Sequence, residues 1–349
     1  MTSFRRHLRA TAGLGLLFGG LSLLAALEAP AAAQDELNIY SSRHYDTDSL
    51  LFEGFTEETG ITINLIEGSG EELVARILNE GVNSPADILI SVDAGRLWRA
   101  EEEGIFQPVS SDTLEERIPP YLRHPDGLWF GFSTRARTLY YNPEIVEEPP
   151  TTYEELADPR FEGLVCIRSS SNIYNLSLMA SMIDVHGEEG ATQWAEGVVA
   201  NFARRPQGGD TDQIKAVAAG ECGVAVANHY YYLRLVRSDD PADQEVAEKV
   251  ELVWANQEDR GVHVNISGAG VVANAPHPDA AIAFLEYLTT DDAQIYFTEG
   301  NNEYPVVEGV MDNPILQQFG DPKRHEINMA VYGEQQPLAQ MIFDRVGWQ

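Results

Sequence analysis

The stretch Cys222-Gly-Val-Ala-Val-Ala-Asn-His-Tyr-Tyr-Tyr-Leu233 joins an apolar run to three consecutive tyrosines. Its first half has the length and composition of a buried strand. Tyrosines at the carboxyl end of such a strand place phenol groups on both sides of the chain, at the edge where open α/β sheets put their ligand crevice. Tyrosine also favours strands for packing alone, with its hydroxyl reaching a surface partner. Two other stretches weigh against packing alone. His44-Tyr45 follows the strand Leu37-Asn-Ile-Tyr40, and Tyr174 follows another strand inside Ser169-Ser-Ser-Asn-Ile-Tyr174. Several phenols and an imidazole, each just past a strand, have the make-up of a site for a hard metal cation.

Outward from this stretch, strand and helix alternate. After Leu37 to Tyr40 comes a helix from about Thr47 to Glu58, a strand from Ile61 to Ile66, and a helix to Asn79 with Leu73, Val74, Ile77 and Leu78 at helical spacing. A strand from Asp87 to Ser91 leads into a helix around Leu97 and Trp98. Such alternation predicts a parallel sheet with right-handed crossovers. The long β-prone segment Gly127 to Asn142 has the length to run from one domain into another. Beyond Pro149-Pro150 the alternation restarts: a strand from Leu164 to Ile167, helices near Ser177 to His186, Ala191 to Asn201 and Thr211 to Ala219, then the strand Gly223 to Ala227. A return passage through Leu252 to Trp254 and Gly261 to Ile266 precedes a strand from Gly270 to Ala273 and a helix from Pro278 to Leu288.

The 349 residues suffice for two domains. Arg5, Arg6 and Arg9, the apolar run from Ala12 to Leu27 and Ala31-Ala-Ala33 describe a secretory leader, residues 1–33, cleaved after Ala33. Arg5-Arg6 leaves both twin-arginine and ordinary export open. Loss of three arginines and Glu28 takes the net charge from −32 to −34. So acidic a chain does not bind nucleic acid or anionic membrane through bulk charge. Its only lysines, Lys215, Lys249 and Lys323, fit a surface suited to saline surroundings. In an exported chain a disulfide between Cys166 and Cys222 is plausible. No His-Glu-x-x-His, Gly-x-Ser-x-Gly or phosphate-loop pattern is present, so a metal-dependent enzyme is a remote alternative and none is expected.

Tyr40-Ser-Ser-Arg-His-Tyr45, Ala86-Asp-Ile-Leu-Ile-Ser-Val-Asp-Ala-Gly95, Arg135-Ala-Arg137 before Tyr141-Asn142, Tyr153-Glu-Glu-Leu-Ala-Asp-Pro159, Ser171-Asn-Ile-Tyr174, Asp210-Thr-Asp212, Asn228-His-Tyr-Tyr231 and Ser267-Gly-Ala-Gly270 stand in this order along the chain. Together they resemble the periplasmic ferric-iron-binding proteins of ABC-type iron importers, in particular the cyanobacterial-type branch. The resemblance implies an α/β, two-lobed, type II periplasmic-binding-protein-like fold, with two mixed or parallel sheets flanked by helices and a hinge between the lobes. It places lobe 1 at 34–137 and 260–310, and lobe 2 at 138–259 and 311–349. It further implies a periplasmic monomer that closes on Fe³⁺ and hands it to an inner-membrane permease driven by an ATPase.

By the same resemblance the iron falls to Tyr45, Tyr174, Tyr230 and Tyr231. His44 matches a histidine that ligates in some relatives and not in others. Arg135 and Arg234 become the cations that offset phenolate charge, and Tyr232 is left to packing. Relatives that use a glutamate from the first lobe carry it where this chain has Val92, with Asp93 turned to the opposite side. That departure weakens the case for a synergistic anion. The rival reading keeps the fold and changes the solute to an oxyanion, a polyamine or a thiamine-like molecule; Ser169-Ser-Ser171 keeps the oxyanion open without explaining the tyrosines.

Overall fold

The computed structural model describes residues 36–43, 45, 47–311 and 313–349. The expected leader and His44 lie outside the described residues. Among the described residues nine strands form the framework: β1 (Glu36–Ser41), β2 (Thr62–Glu67), β3 (Ile88–Val92), β4 (Phe130–Tyr141), β5 (Val165–Cys166), β6 (Val224–Asn228), β7 (Glu251–Val253), β8 (Val264–Val271) and β9 (Tyr304–Pro305). They are ordered β2-β1-β3-β8-β4-β6-β5, with β7 and β9 also paired to β4. β1 runs parallel to β2 and β3, and β5 parallel to β6. β8 is antiparallel to β3 and β4, so the sheet is mixed where alternation alone predicted a parallel one.

Burial follows position in the sheet. β3 and β6 are buried at every residue, as their mainly apolar sequences suit strands covered on both faces. β2, at the edge, leaves Thr62, Asn64 and Leu65 exposed. β4 carries the long aromatic segment as one twelve-residue strand. Its Phe130 to Ala136 half pairs with β8 and its Arg137 to Tyr141 half with β6. Arg135 and Arg137 therefore sit where the strand passes from one partner to the other. The glycines of Ser267-Gly-Ala-Gly270 have a steric reason: a Cβ on Gly268 would lie 2.6 Å from the Phe130 carbonyl oxygen, and one on Gly270 would overlap that of Leu128.

Two helices differ from expectation in a way that decides the site. The pair expected near 177–186 and 191–201 is one run, Ile173–Ala200, kinked at Gly187 (φ 69°, ψ 174°), and it begins early enough to take Tyr174 into its first turn. Tyr230 to Tyr232 do not continue β6; they open the His229–Arg237 helix. Asn172 explains the first start, since its Oδ1 accepts from Tyr174 N at 3.2 Å. At the second, Asn228 is the last residue paired with β4, and its amide is turned to Asp210 Oδ2 at 2.8 Å. Cys166 and Cys222 pair as a disulfide, Cα atoms 5.9 Å apart, joining β5 to the residue two before β6. Among the described residues no helix is long and apolar enough to cross a membrane.

Candidate metal centre

Successive helical residues turn by about 100°. That rotation separates the three tyrosines. Tyr232 swings to the far side, where its hydroxyl donates to Val250 O at 2.8 Å and its ring meets Tyr140 and Phe319. Packing is its role, as expected. Tyr230 and Tyr231 stay together, ring centres 4.3 Å apart. Tyr230 is only 1% exposed, and its hydroxyl has no hydrogen-bond partner among the described residues. A buried, unsatisfied hydroxyl costs about 1–3 kcal/mol, so such a group points to a missing partner.

Tyr174 reaches the same place from the other helix start, with the guanidinium carbons of Arg168 and Arg137 5.5 and 5.9 Å from its ring centre. Tyr45, half-buried between β1 and the Asp48–Thr59 helix, accepts on its carbonyl from Asp48 N at 2.9 Å. The Arg234 guanidinium carbon lies 5.2, 5.0 and 5.6 Å from the rings of Tyr45, Tyr230 and Tyr231, and so ties the first phenol to the other two. Burial, then the charge of Tyr174 and Tyr45, raises the Tyr230 phenol well above its ordinary value. Burial and Tyr174 raise Tyr231, and burial and Glu303 raise Tyr45. The four phenols predicted from sequence thus share one electrostatic neighbourhood.

The two predicted arginines differ in kind. Arg135 is buried; its Nη2 donates to Ser267 Oγ at 2.6 Å, while Nε and Nη1 make no hydrogen bond among the described residues. Its charge is felt by Tyr45 and Tyr230, and it suits the offsetting role. Arg234 is exposed and acts by stacking on the rings. Asp93, with φ 85°, spends its carboxylate on Gly95 N (2.9 Å), Ser177 Oγ (2.8 Å) and Asn265 Nδ2 (2.9 Å), while Val92 is buried. No group of three or more His, Cys, Asp or Glu among the described residues is placed to hold a metal.

Sequence reasoning missed Arg43, His229 and Glu303. Arg43 pairs with Asp48 (Nε to Oδ2, 2.9 Å) and Glu303 (Nη1 to Oε2, 3.0 Å), and lies 4.7 Å from the Tyr45 ring centre. His229 is wholly buried; burial lowers it to about 4, so it is neutral. Arg43 and His229 stood inside quoted motifs, beside residues that drew attention away from them. Glu303 had no local signal at all.

Residues 83–322 match the family model described as "Bacterial extracellular solute-binding protein". The chain belongs to that family. Within it, this solute-binding protein is 56% identical to iron uptake protein A2 of Synechocystis over 95% of this chain and 96% of the relative. It is 28% identical to the Fe(3+)-binding periplasmic protein of Serratia marcescens, over 88% of this chain and 90% of the relative. Among solved structures it is similar to a Trichodesmium protein in complex with iron and citrate (56% identity, TM-score 0.87, 90% and 100% of the two chains). It is also similar to the ferric binding protein of Campylobacter jejuni (39%, 0.83, 90% and 100%). The type II, two-lobed fold expected from the motifs is the fold of these structures.

Proposed function

We propose that this solute-binding protein captures ferric iron between two lobes outside the cytoplasm and delivers it to the permease of an ABC importer. The observation that carries this reading is the meeting of Tyr45, Tyr174, Tyr230 and Tyr231 from three separate segments, one of them a buried phenol with no hydrogen-bond partner among the described residues. Ferric iron is small, hard and highly charged, and phenolate is the anionic oxygen donor that suits it. The iron is cargo. The chain supplies its ligands, the charge that offsets them and the path for their protons.

The phenols of Tyr45, Tyr230 and Tyr231 are held protonated in the metal-free protein and give up their protons to the cation, since a bound cation inverts the local pKa logic. Four phenolates around Fe³⁺ leave a charge of about −1, which Arg135 within and Arg234 above the rings offset. By the resemblance alone, His44 is the candidate for a fifth donor. We assign lobe 1 to 34–137 and 260–310 and lobe 2 to 138–259 and 311–349, with β4 crossing between them. Tyr45 then comes from one lobe and the other three from the second, so that only the closed form completes the set. One chain supplies every donor, in keeping with a monomer. The leader directs it to the periplasm, and it acts as a carrier and not as an enzyme.

The test is retention. Mature protein equilibrated separately with ferric citrate, ferrous iron, zinc, phosphate and spermidine, then passed through a desalting column, is expected to keep one ferric ion per chain. Retention of phosphate or spermidine with loss of iron contradicts the proposal and moves the same fold to another solute.

A further inference from the structure

One dipeptide touches both sides of the tyrosine cluster. Asn302 closes the Asp291–Asn301 helix in the left-handed conformation (φ 56°), and Glu303 leads into β9. Glu303 is wholly buried, at 0% exposure. Its Oε2 accepts from Arg43 Nη1 at 3.0 Å and from Ser133 Oγ at 2.6 Å, and its Oε1 lies 4.0 Å from Arg135 Nε. Arg43 stands two residues before Tyr45 and stacks on its ring, with Asp48 holding the other edge of the guanidinium at 2.9 and 3.0 Å. One residue back, the Asn302 carbonyl accepts from His229 Nε2 at 2.7 Å. Nδ1 of the same ring accepts from Ala136 N at 3.1 Å, so both ring nitrogens are used. His229 opens the helix that carries Tyr230 and Tyr231.

Burying a carboxylate with two arginines is a poor way to gain stability, because desolvation offsets most of the attraction. Such a cluster makes sense where it fixes geometry. We propose that Asn302-Glu303 is a positioning joint for the metal centre, Glu303 setting the Tyr45 loop through Arg43 while the Asn302 carbonyl sets the Tyr230-Tyr231 turn through His229. Two adjacent residues then govern the separation of phenols from opposite sides of the site. The proposal rests on the ferric reading above and adds to it residues that never touch the iron.

The test is a double-mutant cycle on the mature chain loaded with ferric citrate: wild type, Glu303→Gln, His229→Gln and the double variant. Two quantities are read, the rate of iron loss to EDTA and the position of the visible charge-transfer band. Glu154→Gln is the control, since Glu154 bonds to Asn256, His186 and Arg260 away from the tyrosines. Each single variant is expected to lose iron about 10- to 100-fold faster with a displaced band, the usual cost of removing an outer partner. The double variant should be no faster than the worse single, because both act through one joint. Glu303→Asp keeps the charge but shortens the reach, should act in the same direction, and replaces Glu303→Gln if that variant does not fold. Folded variants with wild-type rates and bands overturn the proposal, as do effects that multiply in the double variant. A control that loses iron as fast at matched thermal stability also overturns it. A wild type that takes up no iron instead refutes the ferric site itself, and the joint with it.

Discussion

Tyr230 and Tyr232 are two residues apart and predict opposite phenotypes. The Tyr230 hydroxyl is buried with no hydrogen-bond partner at good geometry among the described residues, so Tyr230→Phe should leave the metal-free protein as stable as wild type or about 1 kcal/mol more stable. It should weaken iron binding by more than the roughly 100-fold that loss of an outer partner costs. The Tyr232 hydroxyl donates to two carbonyls, of Val250 and Ala247, so Tyr232→Phe should cost about 1 kcal/mol of stability and leave iron binding unchanged. Urea unfolding and iron titration of both variants check the pair; a Tyr230→Phe chain that binds iron normally contradicts the ligand assignment. Acid acts at this scale too. The phenols of Tyr45, Tyr230 and Tyr231 are raised, hence protonated when metal-free, so affinity should fall as pH falls, with a slope of about three protons per iron from these tyrosines. A pH-independent affinity between about pH 5 and 7 would exclude phenolate binding. His229 is lowered to about 4 from an unfolded value near 6.5. The unfolded chain therefore binds more protons across that window, and metal-free stability should drop as pH falls from about 6.5 to about 4. The slope should be smaller in His229→Gln.

At the scale of elements, the disulfide spans 56 residues and closes β5 against β6, the two strands that lead to Tyr174 and Tyr230. Replacing both cysteines by alanine should destabilise the metal-free protein by about 2–4 kcal/mol, read from urea midpoints, while the iron stoichiometry stays at one. The same elements show how far the sequence could be read. β3 and β6 were legible as short, mainly apolar runs, and β4 as a long aromatic, β-prone segment. The direction of β8 was not, since pairing partners leave no periodicity. Tyr230 to Tyr232 looked like strand continuation because tyrosine suits strands, yet the amide of Asn228 turns to Asp210 and a helix begins. The clustered tyrosines proposed as ligands were visible through their motifs. Glu303 was not: a glutamate beside two asparagines looks solvated, and only the fold carries it to Arg43, 260 residues away.

For the whole molecule, the tyrosines are gathered by chain passages that lie far apart in sequence: the loop after β1, the turn after β5 and the turn after β6. Metal binding and closure should be one event. Small-angle scattering should show a more compact chain with iron than without, and Tyr45→Phe should blunt that compaction, because it removes the donor on the opposite side. The strongly acidic charge, −32 over the full sequence, makes capture of a trivalent cation favourable at long range, so association should slow as salt rises. The most direct measurement is the visible spectrum of mature, metal-free protein titrated with ferric citrate, beside the Tyr230→Phe, Tyr231→Phe variant. A phenolate-to-iron charge-transfer band that saturates at one iron per chain, and is absent from the variant, is the predicted result. A wild-type protein that stays colourless, or a variant whose band matches it, would contradict the account.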